Sequence, residues 1–298
     1  MTNAFLDLSN ALTAMTVTAG SSIVRVEGRR RLPASGIIWS ADGLIITANH
    51  VVTRDDNIRV GLPEGQTVPA TLVGRDPSTD TAVLRVAAAN LTPLEEANQQ
   101  DIVVGRLVLA LGRPGQNVQA TLGVVSALGG SWRTSMGGQI DCYLQTDVLM
   151  YPGFSGGALV EGNGRLLGLN SSALMGGVSL AIPIATLRRV VETLTMHGRM
   201  RRGYLGVSTQ QVKLPQALRE ELGQKTGLLI VSSEADSPAG QAGLGLGDTI
   251  VRLDGEEVRD HEDLLTLLSS DCVGRATPIQ VIRGGQIVEV SVTIGERE

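Results

Sequence analysis

Residues 151–157 read Tyr151-Pro152-Gly153-Phe154-Ser155-Gly156-Gly157. A serine flanked by glycines suits a tight turn that presents its hydroxyl as a nucleophile. Two architectures use such letters. In an α/β sheet, G-x-S-x-G is a strand-to-helix turn, with the partner acid and histidine after the serine. In a protein built of β-barrels, the same turn lies in a loop, and histidine and acid come before it. The surroundings decide between them. From Ser22 to about Pro183, short β-rich runs follow one another: SIVRVE, SGIIWS, GLIITA, NIRVGL, TVPATLVG, TAVLRVA, RLVLALG, ATLGVVSAL, GALVE and RLLGLNSS. Turn signals such as Asp42-Gly43 and Asn163-Gly164 separate them, the pattern of a sandwich or barrel.

The rest of the chain extends this picture. Its 298 residues are enough for two domains, and 42% apolar against 18% charged residues is a globular balance. Aromatic residues are 2%, so the core must be aliphatic. Glycine, 37 residues, is well above the usual ~7% and favours short strands joined by tight turns. Phe5, Leu8, Leu12 and Met15 recur at helical spacing and predict an amphipathic helix over 3–16. A second helical period over 184–197 stops at Gly198, and RMRRG, 199–203, reads as a linker. Beyond it lie strands YLGVSTQ, GLLIVSS, DTIVRLDG, PIQVIRGG and IVEVSVTI, a short helix over 215–222, and a helix over 261–269 with Asp260 as N-cap. Two domains follow, 1–200 and 201–298.

A serine hydroxyl needs a base that titrates near neutrality and a third group to orient that base. Of three histidines, His197 ends a helix and His261 starts one, and both read as surface residues. His50, in GLIITANHVV, ends a β-rich run where a barrel presents side chains at its rim. For the acid, VGRDPSTDTAVLRV offers Asp76 and Asp80, of which Asp80 leads directly into the apolar strand. His50, Asp80 and Ser155 appear in the chymotrypsin order. In that template the N–H groups of Gly153 and Ser155 form the oxyanion hole, while Gly156 and Gly157 let the substrate backbone approach. The α/β-hydrolase alternative fails, because strand follows strand and the suitable histidine precedes the serine. This chemistry calls for no metal and no cofactor.

SGIIWSADGLIITANHVV, VGRDPSTDTAVLRV, QTDVLMYPGFSGGALV and GRLLGLNSSALMGGVSLAIPI resemble, in order and spacing, the HtrA (Deg) family of trypsin-like serine proteases. The resemblance runs from about residue 20 to the C-terminus. It implies a mainly β protein: a chymotrypsin-like double β-barrel protease domain followed by a small α+β PDZ domain. It also implies a homotrimer that degrades unfolded or damaged proteins without ATP, with His50, Asp80 and Ser155 matching the catalytic residues. The main departure is Phe154, where the family usually has asparagine, in GNSGG; Tyr151 also replaces a residue that is commonly polar, and the loop between Asn170 and Leu180 is short for the family. The Phe154 ring must pack against an apolar neighbour or lie exposed, and Phe154→Asn is expected to leave the fold intact and keep or raise activity. Trypsin-like geometry puts Leu149 at the base of the primary specificity pocket, opposite Leu180 and Ala181, which implies cleavage after aliphatic residues. Unfolded segments are expected to pair along Asn170, Ser171 and Ser172.

In the second domain, Tyr204-Leu205-Gly206-Val207 resembles a PDZ carboxylate-binding loop, and SPAGQAGLGLGDTIVRLDG, 237–255, matches the bacterial PDZ signature SPAxxAGLxxGDxI. A C-terminal peptide would add as a strand beside residues 206–210. Its last side chain would enter a pocket walled by Leu205, Val207, Leu264 and Leu268. The competing reading is a non-catalytic relative, a chaperone or scaffold that binds C-terminal peptides while Phe154 keeps the triad misaligned.

The net charge of −5 argues against a nucleic-acid partner. No apolar run approaches the ~20 residues that span a bilayer. The first 30 residues lack the pattern of a signal peptide. The protein is therefore expected in the cytoplasm if Met1 is the native start, and in the periplasm or another extracytoplasmic space if a leader was removed. Cys142 and Cys272 are read as free thiols.

Overall fold

The computed structural model describes residues 3–200, 203–268 and 272–296. The chain divides into two compact units, Met1–Met200 and Arg201–Glu298. Arg201 and Arg202 of the linker, and Ser269 at the end of the helix expected over 261–269, lie outside the described residues.

Helix α1 (Ala4–Gly20) opens on Asn3, whose Oδ1 accepts the Leu6 N–H at 3.3 Å. It runs four residues past the expected end, because Met15, Ala19 and Gly20 are buried against the first unit. Its N-terminal apolar residues are open to solvent: Phe5 is 86% exposed and Leu8 41%.

Six strands then close a first antiparallel barrel in the order β1-β2-β3-β6-β5-β4: β1 (Ile23–Glu27), β2 (Ala34–Ile38), β3 (Leu44–Ala48), β4 (Ile58–Gly61), β5 (Thr67–Asp76) and β6 (Thr81–Val86). β2 and β3 are buried at all five positions instead of alternating, since one face fills the barrel and the other meets further structure. β7 (Leu107–Gly112) and β8 (Gln119–Gly129) begin the second barrel, and a small hairpin of β9 (Trp132–Arg133) and β10 (Gln139–Ile140) follows. β11 (Tyr143–Thr146), β12 (Ala158–Glu161), β13 (Leu166–Ser171) and β14 (Ser179–Pro183) close it in the order β11-β14-β13-β12-β7-β8. β11 and β14 are not among the strands anticipated from sequence, yet the barrel does not close without them. They are short, and the ladder that joins them to each other pairs Gln145 with Leu180 and Thr146 with Ser179, which no local pattern announces. Helix α2 (Ile184–His197) stops at Gly198, as expected, and lays Leu187, Val190, Val191 and Leu194 into the core shared with the first barrel.

In the second unit, β15 (Gly203–Tyr204) precedes β16 (Val207–Lys213), α3 (Gln216–Leu222), β17 (Thr226–Ser233), α4 (Pro238–Gln241), β18 (Thr249–Leu253), β19 (Glu256–Glu257), α5 (His261–Leu267), β20 (Ala276–Arg283), β21 (Gln286–Thr293) and β22 (Gly295–Glu296). The main sheet runs β16-β17-β18-β20-β21, so β16 is an edge strand. Among the described residues no helix is long and apolar enough to cross a membrane.

Candidate active site

β5 and β6 are joined by the tight loop 77–80, and Asp76 builds it: its carboxylate accepts the Ser78 N–H at 3.0 Å, the Ser78 hydroxyl at 2.5 Å and the Thr79 hydroxyl at 2.7 Å. Asp80 ends the loop in the left-handed region, φ 55°, which aspartate tolerates better than most residues. Of the two candidate acids, then, one shapes the turn and the other faces the histidine. Asp80 is buried, and its Oδ2 lies 2.8 Å from His50 Nδ1. Its Oδ1 lies 3.0 Å from the same nitrogen and accepts the His50 N–H at 2.9 Å. The Asp80 carbonyl accepts from Asn49, which fixes the short 3₁₀ turn carrying His50. Because a carboxylate only accepts, Nδ1 must carry the proton, and Nε2 is left as the basic nitrogen.

A further hydroxyl completes the arrangement. Ser171 at the end of β13 donates to Asp80 Oδ2 at 2.5 Å. Its side chain thus orients the acid. Asn170 is placed otherwise than expected. Its N–H donates to Gly157 and its carbonyl accepts from Gly156, so its backbone is engaged within the barrel. Of the expected pairing stretch, Ser172 is exposed.

The turn preceding Ser155 has a definite chemistry. Phe154 N–H donates to the Tyr151 carbonyl at 3.0 Å, with Pro152 and then Gly153, φ 93°, between them. Proline followed by a positive-φ glycine is the signature of a type II turn. Among the described residues, the amides of Gly153 and Ser155 donate to no protein acceptor. Two unpaired N–H groups beside a serine hydroxyl can receive an oxyanion. Gly156 and Gly157 were expected to make room for substrate backbone. Their missing side chains make room for the protein's own: a Cβ on Gly156 would collide with the Ser35 carbonyl and one on Gly157 with the Leu111 carbonyl.

Ser155 Oγ lies 3.0 Å from Ser172 Oγ, and this is the hydrogen bond its hydroxyl makes among the described residues. Phe154 has no exposed surface. It lies in the second-barrel cluster with Val108, Ala110, Leu159 and Ala181, and its ring meets Tyr151 edge-on at 5.8 Å. Leu149, expected at a pocket base, is 58% exposed, whereas the base of a pocket would be enclosed. The segment after β11 that carries it turns Val148 inward instead. Leu180 and Ala181 are buried on β14.

In the second unit, Gly206 takes φ 76°, and a Cβ there would collide with Ser237. The Leu205 and Gly206 amides donate to no acceptor among the described residues, while their carbonyls accept from Ala239 and Glu234. Leu205, Leu264 and Leu268 are buried in one cluster, with Val207 packed against it. Tyr204 sends its hydroxyl to Glu234 at 2.7 Å. His261, read from sequence as a surface residue, ties α5 to β16 through Thr209, its Nε2 2.9 Å from both the hydroxyl and the carbonyl.

Comparison with known proteins agrees with this architecture. Residues 34–169 match the trypsin-like peptidase domain and residues 203–294 the PDZ domain. A probable periplasmic serine endoprotease, DegP-like, of Halomonas elongata is 37% identical over 273 residues, covering 90% of this chain and 57% of that protein. Its counterpart in Pseudomonas putida is 38% identical over 267 residues, covering 88% and 55%. The chain thus spans about half the length of the curated relatives it matches. Among solved structures, the HtrA-type protease AlgW with decapeptide superposes with a TM-score of 0.77 at 30% identity, over 98% of this chain and 99% of that one. A serine endoprotease from Yersinia pestis gives 0.78 at 31%, over 96% and 98%. The expectation of a cytoplasmic protein finds no support in these relatives, two of which are named periplasmic. The chain belongs to the HtrA family, a trypsin-like peptidase domain followed by one PDZ domain.

Proposed function

We propose that this chain is a serine endopeptidase that cuts unfolded or damaged proteins without ATP, through His50, Asp80 and Ser155. The observation that carries the reading is the doubly held Asp80–His50 pair, which leaves Nε2 as the unprotonated nitrogen, together with the unpaired amides of Gly153 and Ser155. As Ser155 Oγ bonds to the scissile carbonyl carbon, its proton passes to His50 Nε2, and the carbonyl oxygen takes the charge between the Gly153 and Ser155 amides. The C–N bond then breaks, and the proton leaves with the amine. Water attacks the acyl ester, again through His50, and restores the Ser155 hydroxyl. The hydroxyl must leave Ser172 to couple with His50, and unliganded sites often tighten in this way only when substrate binds.

Val148, Leu149, Met150, Leu180 and Ala181 bring no charge near the nucleophile's loop, which supports cleavage after aliphatic residues. The unpaired Leu205 and Gly206 amides and the apolar wall of Leu205, Val207, Leu264 and Leu268 support capture of a C-terminal peptide on edge strand β16. The periplasmic relatives support a periplasmic site of action, and family membership supports a homotrimer.

The non-catalytic alternative draws on one observation, the Ser155 hydroxyl resting on Ser172. Incubation with casein separates the two. The parent is expected to degrade it, and Ser155→Ala and His50→Ala each to lose a factor of ~10⁴ or more, because the triad acts as a unit. An inert, folded parent would establish the scaffold reading. Mapping cuts in a denatured protein tests the specificity, and a majority after Lys or Arg would refute it.

A further inference from the structure

The loop bearing Gly153 and Ser155 belongs to the second barrel, yet two of the bonds that hold it come from one residue of the first. Ser35, in β2, is fully buried. Its hydroxyl donates to the Gly153 carbonyl at 2.6 Å and accepts the Arg113 N–H at 2.7 Å. Its own N–H donates to the Ser155 carbonyl at 3.3 Å. Its carbonyl accepts the Thr47 hydroxyl at 2.7 Å, and Thr47 stands on β3 three residues before His50.

Taken peptide by peptide, these bonds define the loop. The Gly153–Phe154 peptide is held at both ends, its carbonyl by Ser35 and its N–H by the Tyr151 carbonyl. The Phe154–Ser155 peptide is held by its carbonyl, which accepts from Gly157 at 2.9 Å. In a trans peptide the N–H points opposite to the carbonyl, so the Ser155 amide is turned away from that bond. The Ser155–Gly156 peptide is again held at both ends, by Ser35 N–H and the Asn170 carbonyl. The amides that remain unpaired are those of Gly153 and Ser155.

We propose that Ser35 is a positioning residue for the oxyanion hole, its hydroxyl setting where the Gly153 and Ser155 amides stand relative to His50. The inference rests on the peptidase reading above. Ser35 touches no reacting atom. It acts because stabilising an oxyanion demands donors within a few tenths of an ångström of their place, and misplacement by about 1 Å can cost ~10²-fold in rate. Alanine would leave the Gly153 carbonyl and the Arg113 N–H without this partner in a buried setting. A merely structural serine would behave differently: its loss would lower the melting temperature but leave the kinetic constants of the folded protein unchanged.

The test compares parent, Ser35→Ala, and the equal-shaped pair Ser35→Thr and Ser35→Val on a fluorogenic aliphatic peptide, using the full chain. For Ser35→Ala, kcat is expected to fall ~10- to 100-fold with KM within about threefold. The inhibition constant of a peptide aldehyde, whose adduct places an oxyanion between the two amides, is expected to rise in parallel. Ser35→Thr, which keeps the hydroxyl, should outperform Ser35→Val at least tenfold, and this comparison decides the matter where Ser35→Ala does not fold. A folded Ser35→Ala with kcat within twofold of the parent, unchanged aldehyde affinity, or equal Thr and Val variants would overturn the proposal. An inactive parent would sink the peptidase reading along with it, whereas an active parent indifferent to Ser35 would sink this inference alone.

Discussion

Phe154 occupies the position next to Ser155, and among the described residues it is the largest side chain with no exposed surface, in a molecule otherwise built from aliphatic cores. Its ring fills the second barrel and sits against Gly112, where a Cβ would stand 2.9 Å from it. The expectation that asparagine could replace it without harm was argued from the turn alone, and the turn is not where the ring goes. Phe154→Ala should therefore destabilise by ~3–5 kcal/mol, and Phe154→Asn by at least as much, since its amide would be buried without a designed partner. Chemical denaturation followed by tryptophan fluorescence measures this, and a Phe154→Asn protein as stable as the parent would contradict the packing role. The His50–Asp80 pair was legible because few residue types can do that chemistry: three histidines left little choice. Ser35, Ser171 and Ser172 were not legible in these roles, because a hydroxyl on a strand is ordinary until the fold shows what it faces.

At the scale of elements, runs with strong patterns such as β3, β6 and α2 could be placed from sequence, whereas β11 and β14 could not. Their pairing with each other joins distant segments, Gln145 with Leu180 and Thr146 with Ser179. The signature of the second unit gains a physical explanation in the same way. Asp248 accepts the Gly245 N–H at 2.9 Å, closing the turn before β18, and two bonds of 2.8 and 2.7 Å from Arg283 clamp it to β20. The guanidinium holds this carboxyl below its ordinary range. A lowered folded value means the stabilisation is present above the unfolded pKa near ~3.9 and is lost as pH falls through the still lower folded value. Asp248→Asn should thus weaken the second unit by about 1–2 kcal/mol at pH 7, the exposure of Arg283 limiting the effect. The difference from the parent should shrink below about pH 4. Hydrogen exchange of the β18 and β20 amides gives the readout, and a difference that persisted unchanged into acid would count against the clamp. The turn element carries its own prediction. Gly153→Val should abolish turnover, because φ 93° and the nearby Pro114 ring exclude a branched side chain.

For the whole molecule, the exposed half of α1 bears on assembly. Phe5 and Leu8 lie on a helix whose other half is already docked, so their apolar surface is available for burial against further copies. Light scattering is expected to give about three chains per particle, and Phe5→Ser with Leu8→Ser to shift the protein toward single chains. A monomeric parent at micromolar concentration would refute this. The placement of the chemistry across the two barrels has a different consequence. On the peptidase reading, the base and the acid come from residues 50 and 80, the nucleophile and its anion-binding amides from residues 153–155, and hydroxyls from each barrel lock the other's contribution in place. A chain still emerging from the ribosome, or nicked between the barrels, carries only half a reagent. On the peptidase reading, the chain is harmless among unfolded polypeptides, its own kind included, until the moment it has itself become native.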